Sequence, residues 1–451
     1  MHTLTLPVRN DADMDEKRHA RRTRIFDAIR KTPPEPLGPP DSHDQAEVAA
    51  MLREIGIALI EVEQPTQLVF SRLMEIATQY TTQPVRLVVL PTVLMIQVGT
   101  VGYEVDTSTT YSLQLDMAGR IDDIASLAAV GAITPADAIA AISQARSLRP
   151  RFGPVTTTLG YALTTIGFGM IINPTWASLP GYLFLGLIVG AIAQLGRPFP
   201  SLNPVLPTAA AMIVTMLATW FVADTANDGL LRVIAPALVA MLPGMSLTIG
   251  AMELASNQLI SGTSRLVYGV AQLALLVFGV ALGVHVAGEV SPQTPSTQMG
   301  PWSLYVAIIV VAIGLYVYLS APRGSLIWLA AAIGVALVGQ AIAGKFVAAA
   351  YSGFIGAFLT VPFAMLAARI RTSPPAIVMM LAAFWALVPG ALSFESVSVA
   401  ATGTRVGTAS LGVTGAAILS IALGTVIGWS VFHTIDSRLP WPKGLAQPTV
   451  R

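Results

Sequence analysis

The chain has 451 residues, of which 54% are hydrophobic and only 11% charged, against about 25% charged in a typical soluble domain, so most of it does not face water. Its 26 basic and 25 acidic residues leave a net charge of +1, and no basic face or RNA-binding signature points to a nucleic-acid partner. It has no cysteine, which excludes disulfides, zinc–thiolate sites and cysteine nucleophiles.

The charges are unevenly spread. Residues 1–151 hold 15 Lys/Arg and 19 Asp/Glu, whereas residues 152–451 hold 11 and 6. Two physical environments therefore meet near Pro150. The first 50 residues contain no apolar run with a cleavage site, so no secretory signal is expected and the polar part should stay on the synthesis side of a membrane.

Residues 1–45 read as a charged and proline-rich segment. Lys17, Arg18, Arg21, Arg22 and Arg24 cluster beside Ile25, Phe26 and Ile29, which fits either a solvated tail or a basic helix lying on anionic lipid. The stretch 31–40 is a proline-rich spacer. Residues 46–150 read as a small α+β domain. Val48, Met51, Leu52, Ile55 and Leu59 recur at helical spacing, a second helix runs from Thr66 to about Gln79, and strand-like runs follow at 85–91, 92–99 and 108–116. Two helices close the domain, at 120–130 and at 135–147, the latter opened by Thr134 and Pro135 as N-cap and first turn.

A helix needs about 20 apolar residues to cross a bilayer. Ten segments are expected to do so: 155–173, 179–196, 206–224, 230–243, 264–286, 301–320, 325–344, 349–368, 376–389 and 408–432. The fourth and ninth are short and end alike, in Pro243-Gly244 and Pro389-Gly390. Downstream lie Glu253 with Gly262-Thr263-Ser264-Arg265, and Glu395 with Gly403-Thr404-Arg405. Five spans at 151–290 and five at 300–435 are thus expected to be two halves of a repeat, with a tail at 436–451. With the N-terminal domain in the cytoplasm, the basic residues collect on that side and both termini lie inside. An odd number of spans per half makes the halves inverted, as in many secondary transporters.

Short, Gly/Pro-interrupted helices at matching positions point to a transporter's binding site. Pro243, Gly244, Pro389 and Gly390 are the expected hinges, although a Pro-Gly pair also simply ends a helix. Ser246, Glu253 and Asn257 share a face at helical spacing. Glu395 and Val399, the latter beside Ser398, hold the corresponding positions in the second half. Ionisable groups at membrane depth are functional candidates, as proton acceptors or ammonium partners. The alternative is that Glu253 and Glu395 are structural ties to Arg265 and Arg405. Gln194, Gln272 and Gln340 read as groups that hold helices together. Enzyme readings fare poorly: residues 46–150 contain no histidine, and no P-loop, nucleophile elbow or metal-spaced ligand set is present. No catalytic residue, cofactor or metal is expected.

The stretches RIDDIASLAAVGAITPADAIAAI (120–142) and LPGMSLTIGAMELASNQLISGTSRLVYG (242–269), with the second-half set of Pro389-Gly390, Glu395 and Gly403-Thr404-Arg405, resemble the threonine/serine exporter family, especially its actinobacterial single-chain members. The resemblance covers about residues 46–435. It implies export of threonine and serine driven by protons, through ten spans in the plasma membrane after a cytoplasmic domain, with lipid, substrate and protons as partners and a homo-oligomer compatible with the pattern. It carries over Pro243, Gly244, Glu253, Asn257, Gly262 and Arg265 as motif positions. One departure is EVEQPT (61–66), where the family's first two helices usually meet at a Gly-containing turn. Other readings are export of a different small polar metabolite, or a membrane-anchored sensor.

Overall fold

A computed structural model describes residues 31, 34–106, 113–196, 198–222, 229–288, 296–387 and 409–438. The basic cluster at 17–29 lies outside these residues. The N-terminal unit opens with α1 (Gln45–Glu61) and α2 (Thr66–Tyr80). The stripe Val48, Met51, Leu52, Ile55 and Leu59 is fully buried, because residues spaced by three and four positions share one helix face. An antiparallel meander follows, β1 (Val85–Val89), β2 (Val93–Val98) and β3 (Val101–Asp106). Leu94, Ile96 and Val98 point into the core while Met95 is exposed, the alternation of a sheet with one wet face.

Of the strand-like run expected at 108–116, residues 108–112 lie outside the described residues, and the third strand of the sheet is β3, which directly follows β2. Val98 pairs with Val101, so Gly99 and Thr100 alone form the hairpin turn, and Gly99 takes a φ of 57°, as a two-residue hairpin requires. The chain returns at once, and Leu115 already begins α3 (Leu115–Ala129), five residues before the expected helix. Its first amides are satisfied from the membrane part: Leu115 N donates to Leu319 O at 2.9 Å and Asp116 N to Ser320 O at 3.3 Å. The last helix of the unit, α4 (Pro135–Arg146), has the expected cap, with Asp137 N donating to Thr134 Oγ1 at 3.2 Å.

Beyond Pro150 the described chain is helical: α5 (Pro154–Ile172), α6 (Leu179–Leu195), α7 (Leu206–Phe221), α8 (Leu230–Leu238), α9 (Gly244–Ala255), α10 (Leu259–Ala287), α11 (Ser303–Tyr318), α12 (Leu326–Ala343), α13 (Ala349–Ala367), α14 (Ala376–Ala386) and α15 (Ala409–Arg438). An apolar helix lies in each expected segment, and α9 is one more. By length and composition, among the described residues, five helices can cross a membrane and a bent pair makes a sixth candidate; α6, α7, α11 and α14 are shorter apolar helices. Large apolar side chains such as Phe278, Ile309 and Phe346 stay exposed, a surface that suits lipid rather than water.

Glycines set how these helices meet. On α5 and α11, Gly160 faces Val317, Thr164 faces Gly314 and Gly167 faces Val311, so the two helices run antiparallel. On α10, a Cβ at Gly279 would fall 2.3 Å from the Thr208 carbonyl oxygen and one at Gly283 2.8 Å from that of Met212. On α15, a Cβ at Gly424 would fall 2.3 Å from the Phe354 oxygen and one at Gly428 2.8 Å from that of Phe358. Both are Gly-x-x-x-Gly contacts between parallel helices, in which missing side chains let backbones approach. The α7–α10 contact is thus reproduced by α13–α15. The core is continuous across the two environments: one buried cluster joins Leu52, Leu73 and Ile121 to Phe168, Val311 and Val378.

Candidate functional site

The site begins at a break. Pro236 interrupts α8, a single 3-10 turn (Val239–Met241) follows, and α9 then departs at 68° from the line of α8. Pro243, the N-cap of α9, has no side chain able to cap it, so the first amides of the new helix lack intrahelical partners. Met241, Leu242, Pro243, Gly244, Met245 and Ser246 line a cavity of about 320 Å³, together with Tyr268 and Gln272 of α10 and Phe384 and Trp385 of α14. That size is at the lower end of the roughly 300–1,000 Å³ range of small-molecule sites. Gln272 Nε2 donates to Tyr268 Oη at 2.8 Å, so Gln272 faces the cavity as half of a polar pair rather than bridging helices.

The N-terminal unit closes one side of this break. Glu253, at the far end of α9, is 1% exposed, and its Oε1 accepts from both Thr66 N and Thr66 Oγ1 at 2.9 Å. Pro65 precedes α2 and offers no cap, so the carboxylate of α9 caps α2 from across the chain, where the helix dipole favours negative charge. Oε2 lies 3.3 Å from Arg265 Nε, close enough to pair in charge but misaligned, so that neither atom is hydrogen-bonded among the described residues. Gln258 Nε2 donating to Gln67 Oε1 closes the same junction.

The turn between α1 and α2 enters the cavity itself. Glu63 N donates to Ile60 O at 2.9 Å and Gln64 N to Leu59 O at 3.1 Å, the paired bonds of a Schellman motif. That motif requires a left-handed residue, normally glycine, and here Glu63 holds φ at 60°. Its side chain is the only charged group lining the cavity among the described residues. Burial pushes its carboxyl above the usual range, opposed by the positive charge of Arg265.

Pro243, Gly244 and Ser246 thus line the cavity, whereas Glu253 and Arg265 form the junction beside it. Asn257 leaves the face that helical spacing gives it, because α9 ends at Ala255 and Asn257 is an exposed left-handed residue with φ 63°. Gln258 N then donates to Glu253 O at 2.8 Å, the same motif as at Glu63. Pro389, Gly390, Glu395, Val399 and Arg405 lie outside the described residues. Glu63 and Thr66 are not among the site residues that the sequence predicts; their one signal is the unusual EVEQPT turn. No cluster of metal-binding side chains occurs among the described residues.

Among the described residues, apolar helices long enough to cross a membrane, one helix pair broken at a cavity and a polar unit closed against that break are the features of an integral membrane protein. Residues 50–287 match the family model ThrE, described as "Putative threonine/serine exporter", and the chain belongs to that family. It is also similar to Pheromone-regulated membrane protein 10 of Candida albicans (strain WO-1), at 25% identity over 55% of this chain and 24% of that protein. The protein of that name from Yarrowia lipolytica is 28% identical over 25% of this chain and 10% of its own length. An uncharacterised protein of Schizosaccharomyces pombe is 25% identical over 32% and 20%. The chain spans about a quarter or less of these relatives. No solved structure matches it.

Proposed function

We propose that this protein is a secondary active exporter of small polar amino acids, threonine and serine, which moves them by alternating access in exchange for protons. The observation that carries the reading is the break at Pro243, which leaves the amides of Gly244, Met245 and Ser246 at a cavity of about 320 Å³. Uncapped amides at a helix start favour a carboxylate, the group that all amino acids share. The family adds the substrate class.

The antiparallel meeting of α5 with α11, and the repeated Gly-x-x-x-Gly contacts of α10 and α15, support two inverted five-helix halves with ten spans. In this reading Pro389-Gly390, Glu395 and Arg405 build the matching break, with Val399 at the place that Asn257 takes in the first half. The N-terminal unit and both termini face the cytoplasm at the plasma membrane. Glu253 is the coupling group: a proton on its carboxylate removes the negative charge that holds Thr66 and Arg265, and so loosens the unit from the break.

The test is efflux. Cells loaded with threonine-containing dipeptide and expressing the protein should lose threonine faster than controls, and an uncoupler should remove the difference. Unchanged loss sinks the exporter reading. Glu253→Gln that leaves uncoupler-sensitive efflux intact sinks the coupling role alone.

A further inference from the structure

The carboxylate of the cavity comes from outside the membrane helices. Glu63 belongs to the α1–α2 turn, yet it shares the cavity with Pro243, Gly244 and Ser246 of the broken helix and with Gln272 and Trp385. Its carboxylate has no hydrogen-bond partner and no ion pair within contact distance among the described residues, whereas its neighbour Glu61 is bonded to Arg146 at 2.9 Å. The residue is half-buried, and a carboxylate partly withdrawn from water at a cavity favours a cationic partner. The backbone beneath it is strained as well. Among the described residues four helices end in a Schellman turn, with Gly131, Asn257, Ser320 and Glu63 as the left-handed residue. Glycine takes that conformation freely and asparagine does so readily, but glutamate does neither. Strain of this kind clusters at ligand sites.

We infer that Glu63 is a ligand-binding residue, contributed by the N-terminal unit, that receives the cationic ammonium end of a small zwitterion whose carboxylate meets the start of α9. The inference rests on the transport reading and deepens it. The N-terminal unit is then part of the binding site, since without its turn the cavity has amides for an anion and no charge for a cation. Charges of opposite sign at two ends of a small cavity select molecules that carry both.

Binding to the purified full-length protein in lipid nanodiscs tests this, with three probes measured by calorimetry: L-threonine, 3-hydroxybutyrate, which lacks the ammonium, and 1-amino-2-propanol, which lacks the carboxylate. Glu63→Gln should weaken L-threonine and 1-amino-2-propanol by about 10- to 100-fold, the size of a hydrogen bond to a charged group. Binding of 3-hydroxybutyrate should stay within about twofold of the native protein. Glu63→Asp should restore part of the loss. Glu63→Gly repeats the measurement on a turn relieved of strain, so a folding defect in the glutamine variant is not mistaken for lost binding. Native affinity for L-threonine in either the glutamine or the glycine variant overturns the inference and leaves the transport reading standing. Equal losses for L-threonine and 3-hydroxybutyrate also overturn it. If the native protein binds none of the three probes, the transport reading falls, and this one with it.

Discussion

Glu253 and Glu63 are both acidic and both near Arg265, the first fully buried and the second half-buried, but their surroundings differ. Glu253 is used up: one oxygen takes two bonds from Thr66 and the other faces Arg265. Glu63 has no such partners among the described residues and opens on a cavity. The first arrangement holds two parts of the chain together, and the second leaves a charge waiting for a ligand. Sequence alone leaves Glu253 open between a pathway group and a tie and does not single out Glu63 at all, because the separation lies in what reaches each carboxylate.

The comparison breaks most easily at Glu253. Its replacement by alanine uncaps α2 and strands Arg265 in a buried position, and removing one partner of a buried charge pair costs about 3–5 kcal/mol. Thermal unfolding in detergent should show a larger drop for this variant than for any substitution at Thr66, Glu63 or Asn257. A native-like midpoint would mean that the N-terminal unit does not dock on Glu253. Thr66→Val keeps the backbone donor and removes only the hydroxyl, so a loss of about 1.5–3 kcal/mol is expected, as for one hydrogen bond to a charged group. If the two substitutions are combined, the threonine change should add little to the alanine one, since both delete the same contact.

Much of the architecture is legible from residues alone. The α1 stripe, the Thr134 cap and the apolar segments follow from spacing, and the Pro243-Gly244 dipeptide marks the break at which α9 turns away. β3 escapes the sequence reading because Gly99-Thr100 is an inconspicuous turn, so that the strand after it is not separated from β2 by any strong break signal. Asn257 falls on the face of Glu253 only while the helix continues, and periodicity does not announce where a helix stops. Thr66 and Glu63 are hidden for a different reason. Thr66 is 187 positions from the carboxylate it binds, and no local pattern encodes contact between a polar unit and a membrane helix. Gly279, Gly283, Gly424 and Gly428 are readable in principle, as two Gly-x-x-x-Gly pairs in long apolar helices, but small residues stand out only once a neighbouring backbone is seen against them.

The strained turn gives a smaller effect of opposite sign. Glu63→Gly relieves a left-handed conformation that costs a side-chain-bearing residue about 1–2 kcal/mol, less about 0.5–1 kcal/mol for the added freedom of the unfolded chain. The net gain should therefore lie between about 0 and 1.5 kcal/mol, seen as a raised unfolding midpoint. Asn257→Gly is the control at the equivalent position of α9; asparagine already tolerates this backbone, so its gain should be the smaller. A glycine at 63 that lowers the midpoint would mean that the glutamate side chain contributes packing that outweighs the strain.

The least effect concerns pH. Burial raises the Glu63 carboxyl above the ordinary 4.5, with Arg265 opposing it. A carboxyl raised in the folded state binds its proton more tightly there than in the unfolded chain, so its contribution to stability is complete below the unfolded value. That contribution is lost as pH climbs through the folded one. Unfolding midpoints of the native protein should therefore fall on going upward from about pH 4.5 relative to those of Glu63→Gln, which has no proton to lose. The difference should be no more than about 2 °C across one pH unit for a chain of this size. Other raised carboxyls of the N-terminal unit, Glu61, Glu75 and Asp123, are common to both proteins and cancel in the comparison. A saturating zwitterionic ligand should shrink the difference further, because an ammonium beside Glu63 favours the charged carboxylate and returns its titration toward that of the unfolded chain. Parallel midpoint curves with and without the carboxylate would mean that Glu63 titrates as it does in water, and that the cavity leaves it hydrated.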